Sequence, residues 1–302
     1  MPFLKSNAFG SKRLLSVQDT TSIKPMNNKS AGRNCQTCGS HHMENYCPAC
    51  GEKKFSRHDL TLSHFFHESI ESFFHFDNKF FRSLRMLVFS PGSLTADFSE
   101  GRRIRLMRPL QLFLVLNILL YILPGNPFAL PLENYLKYRP FVDYNTEEVV
   151  KEKLKETGLS LNDYSHRFYE KMKSTSKTFI FLFIPLYAIV FLLLFIRTSK
   201  TLSEHLVFAT HFMSFHLLLV MMSTLLLELP FYLFSKLQYS QLFDAAQASI
   251  IIAAMCLYLL FAFRRFYNTT WTWSVISGLL VSSTFFLVVQ GYRMFLFYEI
   301  VS

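Results

Sequence analysis

Apolar residues bunched into blocks, a doubled C-x-x-C-G motif near the N-terminus and arginines gathered at the edges of the apolar blocks together predict the fold class. It is an all-α integral membrane helical bundle of about five transmembrane helices, carrying a small N-terminal four-cysteine zinc ribbon. Hydrophobic residues fill 51% of the 302 positions and aromatic residues 17%, with 34 phenylalanines. A soluble domain rarely carries that load, whereas a bilayer accepts it. The formal net charge of +10 would suit nucleic acid. Much of it lies in the N-terminal tail and beside the apolar blocks, however, where the cytoplasmic preference of Lys and Arg accounts for it. Nucleic acid is therefore not an expected partner; the lipid bilayer is.

Four of the five cysteines are crowded together, and the fifth, Cys256, stands alone in an apolar block. Such crowding reads as a metal site in a reducing compartment rather than a secreted disulfide framework. The leading MPFLKSNAFGSKRLLS lacks the continuous apolar core of a signal peptide, so insertion is expected to rest on the internal spans. Residues 1–32 read as a basic disordered tail, either touching anionic lipid or merely solvated.

Residues 33–54 hold the ribbon. Cys35 and Cys38 form one C-x-x-C and Cys47 and Cys50 the second, each followed by glycine. Each turn lets two thiolates converge, and two such knuckles complete a tetrahedral zinc site. A site closed by four thiolates has no open coordination position, so the expected zinc is structural and ties down a piece too small to fold on its own core. His41 and His42 lie between the knuckles and are not needed as ligands. Redox dithiol chemistry is the alternative, and two adjacent pairs favour metal.

Residues 55–108 are expected to be a cytoplasmic amphipathic helical segment. From 60 to 89, Leu62, Phe66, Ile70, Phe73, Phe76, Phe80, Leu84 and Leu87 recur at steps of three or four, which predicts one helix lying at the bilayer interface or against the cytoplasmic ends of the spans. Ser90-Pro91-Gly92 ends it. On its polar side His64, His67, Glu71 and His75 have the spacing of metal ligands, although a wet helix face produces the same row. The junction GRRIRLMRP then brings Arg102, Arg103, Arg105 and Arg108 to the mouth of the first apolar block, with Pro109 in the first helical turn, where its missing N–H costs nothing.

The order of these features resembles a known family. A CxxCG…CxxCG ribbon precedes a segment with Asp77 and Phe80-Phe81, then Ser90-Pro91-Gly92, Gly101-Arg102-Arg103, Arg108-Pro109 and membrane. Over roughly residues 33–125 this is similar to a bacterial family of zinc-ribbon, multi-span membrane proteins known only as a domain of unknown function. Arg105-Leu106-Met107 departs from it where an aromatic is expected. The resemblance implies a membrane protein with a cytoplasmic ribbon and no stated activity.

Residues 109–302 form the membrane domain, with spans near 109–123, 178–196, 205–227, 245–263 and 272–297. The first is short for a hydrocarbon core of about 30 Å and either crosses with the help of snorkelling arginines or is re-entrant. The polar stretch 124–177 is expected outside the cytoplasm as a small helical cap rather than a receptor domain. One helix starts near Asn145 and stops at Gly158, and a second is opened by Ser160 and Asp163. The third span carries His205, His211 and His216. His211 and His216 could hold an ion, relay protons or hold a lipid head group, or simply bond to neighbouring helices. Ala245, Ser249 and Ala253 in the fourth span and Ser274, Gly278 and Ser282 in the fifth predict close packing through small faces. Arg197, Lys200, Arg264 and Arg265 mark cytoplasmic loops. With Trp271 and Trp273 at interface depth, they give an N-in, C-out topology, and the family resemblance implies that the membrane is a bacterial cytoplasmic one.

Phosphate-binding loops, dinucleotide fingerprints, H-E-x-x-H and G-x-S-x-G are all missing. The spans lack the paired acids of a proton or cation pump, and no inverted repeat is evident. The leading expectation is therefore a non-enzymatic membrane protein with the ribbon as a docking or regulatory head for a protein partner. A homo-oligomer is left open. The alternatives are a small transporter or channel using His211 and His216, and a lipid-acting enzyme using His64, His67, Glu71 and His75.

Overall fold

The computed structural model describes residues 33–56, 78–123, 130–137, 145–230 and 241–301. The expected basic tail, most of the amphipathic segment with His64, His67, Glu71 and His75, and residues 231–240 lie outside them.

The four-cysteine segment comes first. A two-residue antiparallel pair, β1 (Arg33–Asn34) and β2 (His41–His42), closes the first knuckle, and a bridge between Tyr46 and Lys53 closes the second. Helix α1 (Asn78–Phe89) and the short α2 (Ser93–Ser99) follow, joined at Ser90-Pro91-Gly92. The turn is tight because Gly92 has φ 79° and lies against the backbone of Ala262, where a Cβ would stand 2.7 Å from the carbonyl oxygen. Only glycine admits both conditions.

After the junction, α3 (Pro109–Ile122) begins with Pro109 at its first position, as expected of an N1 proline. A cap of α4 (Leu132–Lys137), α5 (Thr146–Thr157) and α6 (Leu161–Phe179) packs on the far end. The Ser160 hydroxyl accepts from the Asp163 N–H and starts α6. A short 3₁₀ turn, Ile180–Leu182, links α6 to α7 (Phe183–Leu194). Then come α8 (Leu202–Ser223), α9 (Gln241–Tyr267) and α10 (Trp271–Val301). Tyr135, Phe168 and Phe297 stack the cap onto the last turns of α10.

Three of these stretches, Leu202–Leu227, Ala246–Tyr267 and Trp271–Val301, are long and apolar enough to cross a membrane. A fourth is counted if the bent pair Leu161–Ser176 and Ile180–Leu194 forms one span, and Pro109–Ile122 is a shorter apolar helix. These apolar helices mark a membrane protein. The expected span at 178–196 does not start afresh after a loop. It continues, through a 40° bend, a helix that begins in the polar stretch.

The bundle is built around α8. Its apolar window is 78% buried, against 28% for α9 and 39% for α10, and α1, α2, α3, α7 and α9 all pack on it. Phe208, Phe263 and Phe266 stack between α8 and α9, and Phe191 meets Phe208 and Phe212 from α7. The small-residue expectation holds on one side only. Gly278 lies close to the Cys256 carbonyl and Leu259, and Ser274 and Ser282 are buried. Ser249 and Ala253 are exposed, so α9 meets α10 with its Cys256–Leu260 face instead.

Candidate metal centre and buried histidine helix

Each C-x-x-C-G forms the same knuckle. The Gly39 N–H donates to the Cys35 carbonyl and the Gly51 N–H to that of Cys47, at 2.9 and 2.7 Å. Both glycines have positive φ, 75° and 77°, which permits the reversal. All four sulfurs lie within 4.8 Å of one another, with Cys35–Cys50 at 3.6 Å and Cys38–Cys47 at 3.5 Å. Tetrahedral zinc with bonds of about 2.3 Å would hold its sulfurs roughly 3.8 Å apart, so the donor set fits that ion.

The Ser40 hydroxyl, 3.0 Å from both the Cys38 and Cys47 sulfurs, pulls both thiols below their ordinary range, Cys47 to about 6. Cys50 moves up to about 12. The Glu52 N–H favours its thiolate, but burial and the neighbouring Cys35, Cys38 and Cys47 outweigh that. A divalent cation at the centre would favour the thiolate at every position.

The second knuckle places Glu52 directly beyond the cysteines, and this residue ties the four-cysteine segment to the helical bundle. One carboxylate oxygen, Oε2, accepts from Thr37 Oγ1 at 2.7 Å, from the Arg103 N–H at 3.0 Å and from the Ile104 N–H at 2.9 Å. The residue is buried. Around it the Arg103 guanidinium lies over the rings of Phe98 and Phe55, while Arg102 pairs with Asp97 and Glu100. The Met107 N–H donates to Ser83 Oγ at 2.8 Å. These junction arginines, read from the sequence as topology marks, also build the seat of the ribbon. Glu52, Thr37 and Ser40 were not anticipated; the one available signal was an acid immediately after the second knuckle.

The histidines of α8 are buried and separately engaged. His205 Nδ1 lies 2.9 Å from the Tyr267 hydroxyl. His211 Nδ1 lies 2.9 Å from Thr95 Oγ1 of α2, with its Nε2 buried and, among the described residues, without a hydrogen-bond partner. His216 packs on Phe285 of α10. The expected pair thus faces two different elements: His211 meets α2 and His216 meets α10. Among the described residues the only grouping of His, Cys, Asp and Glu close enough to hold a metal is the four-cysteine cluster.

The segment that supplies α1, α2, the ribbon's seat and most of α3 is also the one with recognisable relatives. No curated protein and no solved structure matches the chain. Residues 77–121 match a family described as a protein of unknown function (DUF3667), so the likeness falls on the hairpin and junction that join ribbon and bundle.

Proposed function

We propose that this is a multi-pass membrane protein without a catalytic centre of its own, whose four-cysteine head binds structural zinc and acts as a docking or regulatory element for a protein partner. The observation that carries the reading is the Glu52 clasp. A metal knuckle that ends in a buried carboxylate holding two backbone amides of the membrane junction makes the state of the head felt at the base of the bundle. The ribbon, residues 33–54, is the cytoplasmic element, and the membrane is the bacterial inner membrane. Support for that orientation comes from the basic residues. Lys200 lies over Phe266 at the end of α9, next to Arg264 and Arg265, and the hairpin tip at Gly92 meets the same region at Ala262. The two basic loops therefore lie together at the end that the hairpin tip approaches, which agrees with a positive-inside arrangement.

The test is partner capture from native membranes in mild detergent, with Cys47→Ser/Cys50→Ser as control. A protein recovered by the wild type and lost by an equally abundant variant supports the reading. The same set from both forms, or nothing from either, reduces the ribbon to a structural clip.

A further inference from the structure

We infer that the outer face of α1 is a binding site for anionic glycerophospholipid head groups. The helix buries Phe80, Ser83 and Leu87 against the bundle. Its opposite side exposes Lys79, Arg82 and Arg85 together with Phe81 and Phe89, the two rings being 69% and 80% accessible. The helix contains no acidic residue, and among the described residues none of the three cations has a carboxylate partner. The other basic clusters differ: Arg102 is held by Asp97 and Glu100, and Lys200 by Glu204.

Depth decides what this face meets. The hairpin tip touches Ala262, two residues before Arg264, whose guanidinium lies over Trp271. Phe89, three residues before that tip, is thereby assigned to the apolar side of the basic and aromatic level marked by Arg264 and Trp271. Ser83 is level with the junction, since it accepts the Met107 N–H. At 1.5 Å per residue, Arg85, Arg82 and Lys79 lie about 6, 10 and 15 Å from Phe89 along the helix axis, toward the end at which Ser83 meets the junction. That spread covers the depth of the glycerol and phosphate groups, with the long basic stems reaching along the helix. An acyl chain lies against Phe89 while its phosphate meets the cations; a zwitterionic head group gains less because its own cation opposes them.

The experiment is native mass spectrometry of the full chain in detergent, titrated with phosphatidylglycerol and, separately, phosphatidylcholine. The wild type is expected to prefer phosphatidylglycerol. Lys79→Gln/Arg82→Gln/Arg85→Gln should lose about fivefold of that preference per cation removed, on the order of a hundredfold in all. The charge-preserving Lys79→Arg/Arg82→Lys/Arg85→Lys should keep it, as should Lys151→Gln/Lys153→Gln/Lys155→Gln on α5. A glutamine triple on α1 that still prefers the anionic lipid overturns the site. So does an equal loss in the α5 triple, which would assign the effect to net charge, or an equal loss in the charge-preserving form.

Discussion

The Glu52 carboxylate accepts the backbone N–H of Arg103 across 3.0 Å, and that of Ile104 across 2.9 Å, from a buried position one residue past the second cysteine knuckle. A buried carboxylate with three donors on one oxygen is stable only while all three stay in place. Glu52→Ala removes the acceptor and leaves both amides without it, a change of on the order of 2 kcal/mol in local opening. Hydrogen exchange read by mass spectrometry should then show the 101–108 segment exchanging roughly 30-fold faster, with Glu52→Gln between the two because a neutral carbonyl is the weaker acceptor. Wild-type rates in Glu52→Ala would mean that the clasp does not hold the junction.

The metal prediction is separable from the clasp. The purified chain should carry one zinc ion, held by Cys35, Cys38, Cys47 and Cys50, and any one Cys→Ser change among them should remove most of it. Elemental analysis against protein concentration is the direct measurement. Chelation should open four additional thiols to a thiol reagent and, because Glu52 follows Cys50-Gly51, raise exchange at Arg103 and Ile104 as Glu52→Ala does. A chain that binds no zinc, or whose junction ignores chelation, would break that link.

Thr95 and His211 form the second long-range contact, between α2 and the centre of α8. Thr95→Val keeps the volume and deletes the hydroxyl, leaving a buried ring nitrogen unpaired at a cost of about 1–3 kcal/mol. His211→Phe removes the ring nitrogens as well, so the double variant should recover part of that loss. A coupling of about 1 kcal/mol in a double-mutant cycle, measured by thermal unfolding in detergent, is expected. Strict additivity would show that the two groups do not communicate.

What the sequence made legible follows from range. The cysteine knuckles, the Pro109 start and the Ser160 cap are all closed by neighbours a few positions away, and local spacing encodes them. The tie from Glu52 to the junction was invisible because its partners there are backbone amides of residues 103 and 104, and a backbone amide has no residue type. The central place of α8 was half visible. Bonds from its histidines to neighbouring helices were one of the readings open, but hydropathy cannot tell a helix facing lipid from one facing other helices. Ser90-Pro91-Gly92 was readable as a stop, whereas its approach to Ala262 joins two segments far apart in the chain. Ser249 and Ala253 show the opposite failure, a small-residue pattern that the neighbouring helix does not use.

That approach gives the sharpest steric prediction. At Gly92 a Cβ would stand 2.7 Å from the Ala262 carbonyl oxygen and 3.0 Å from its Cα, at φ 79°. Both obstacles are backbone, so no rotamer relieves them. Gly92→Ala should cost about 1–2 kcal/mol for the left-handed conformation alone. Separating α2 from α9 adds a further 1–3 kcal/mol of the kind that overpacking imposes. Gly158 is the internal control: φ is 65°, nothing lies within 4 Å of the added carbon, and Gly158→Ala should carry the conformational cost only. Thermal unfolding of the two variants in the same detergent separates the contributions. Because α2 also carries Thr95, Gly92→Ala should weaken the Thr95–His211 coupling, while Gly158→Ala leaves it intact. Equal melting temperatures for the two would mean that the hairpin tip is not pressed against α9.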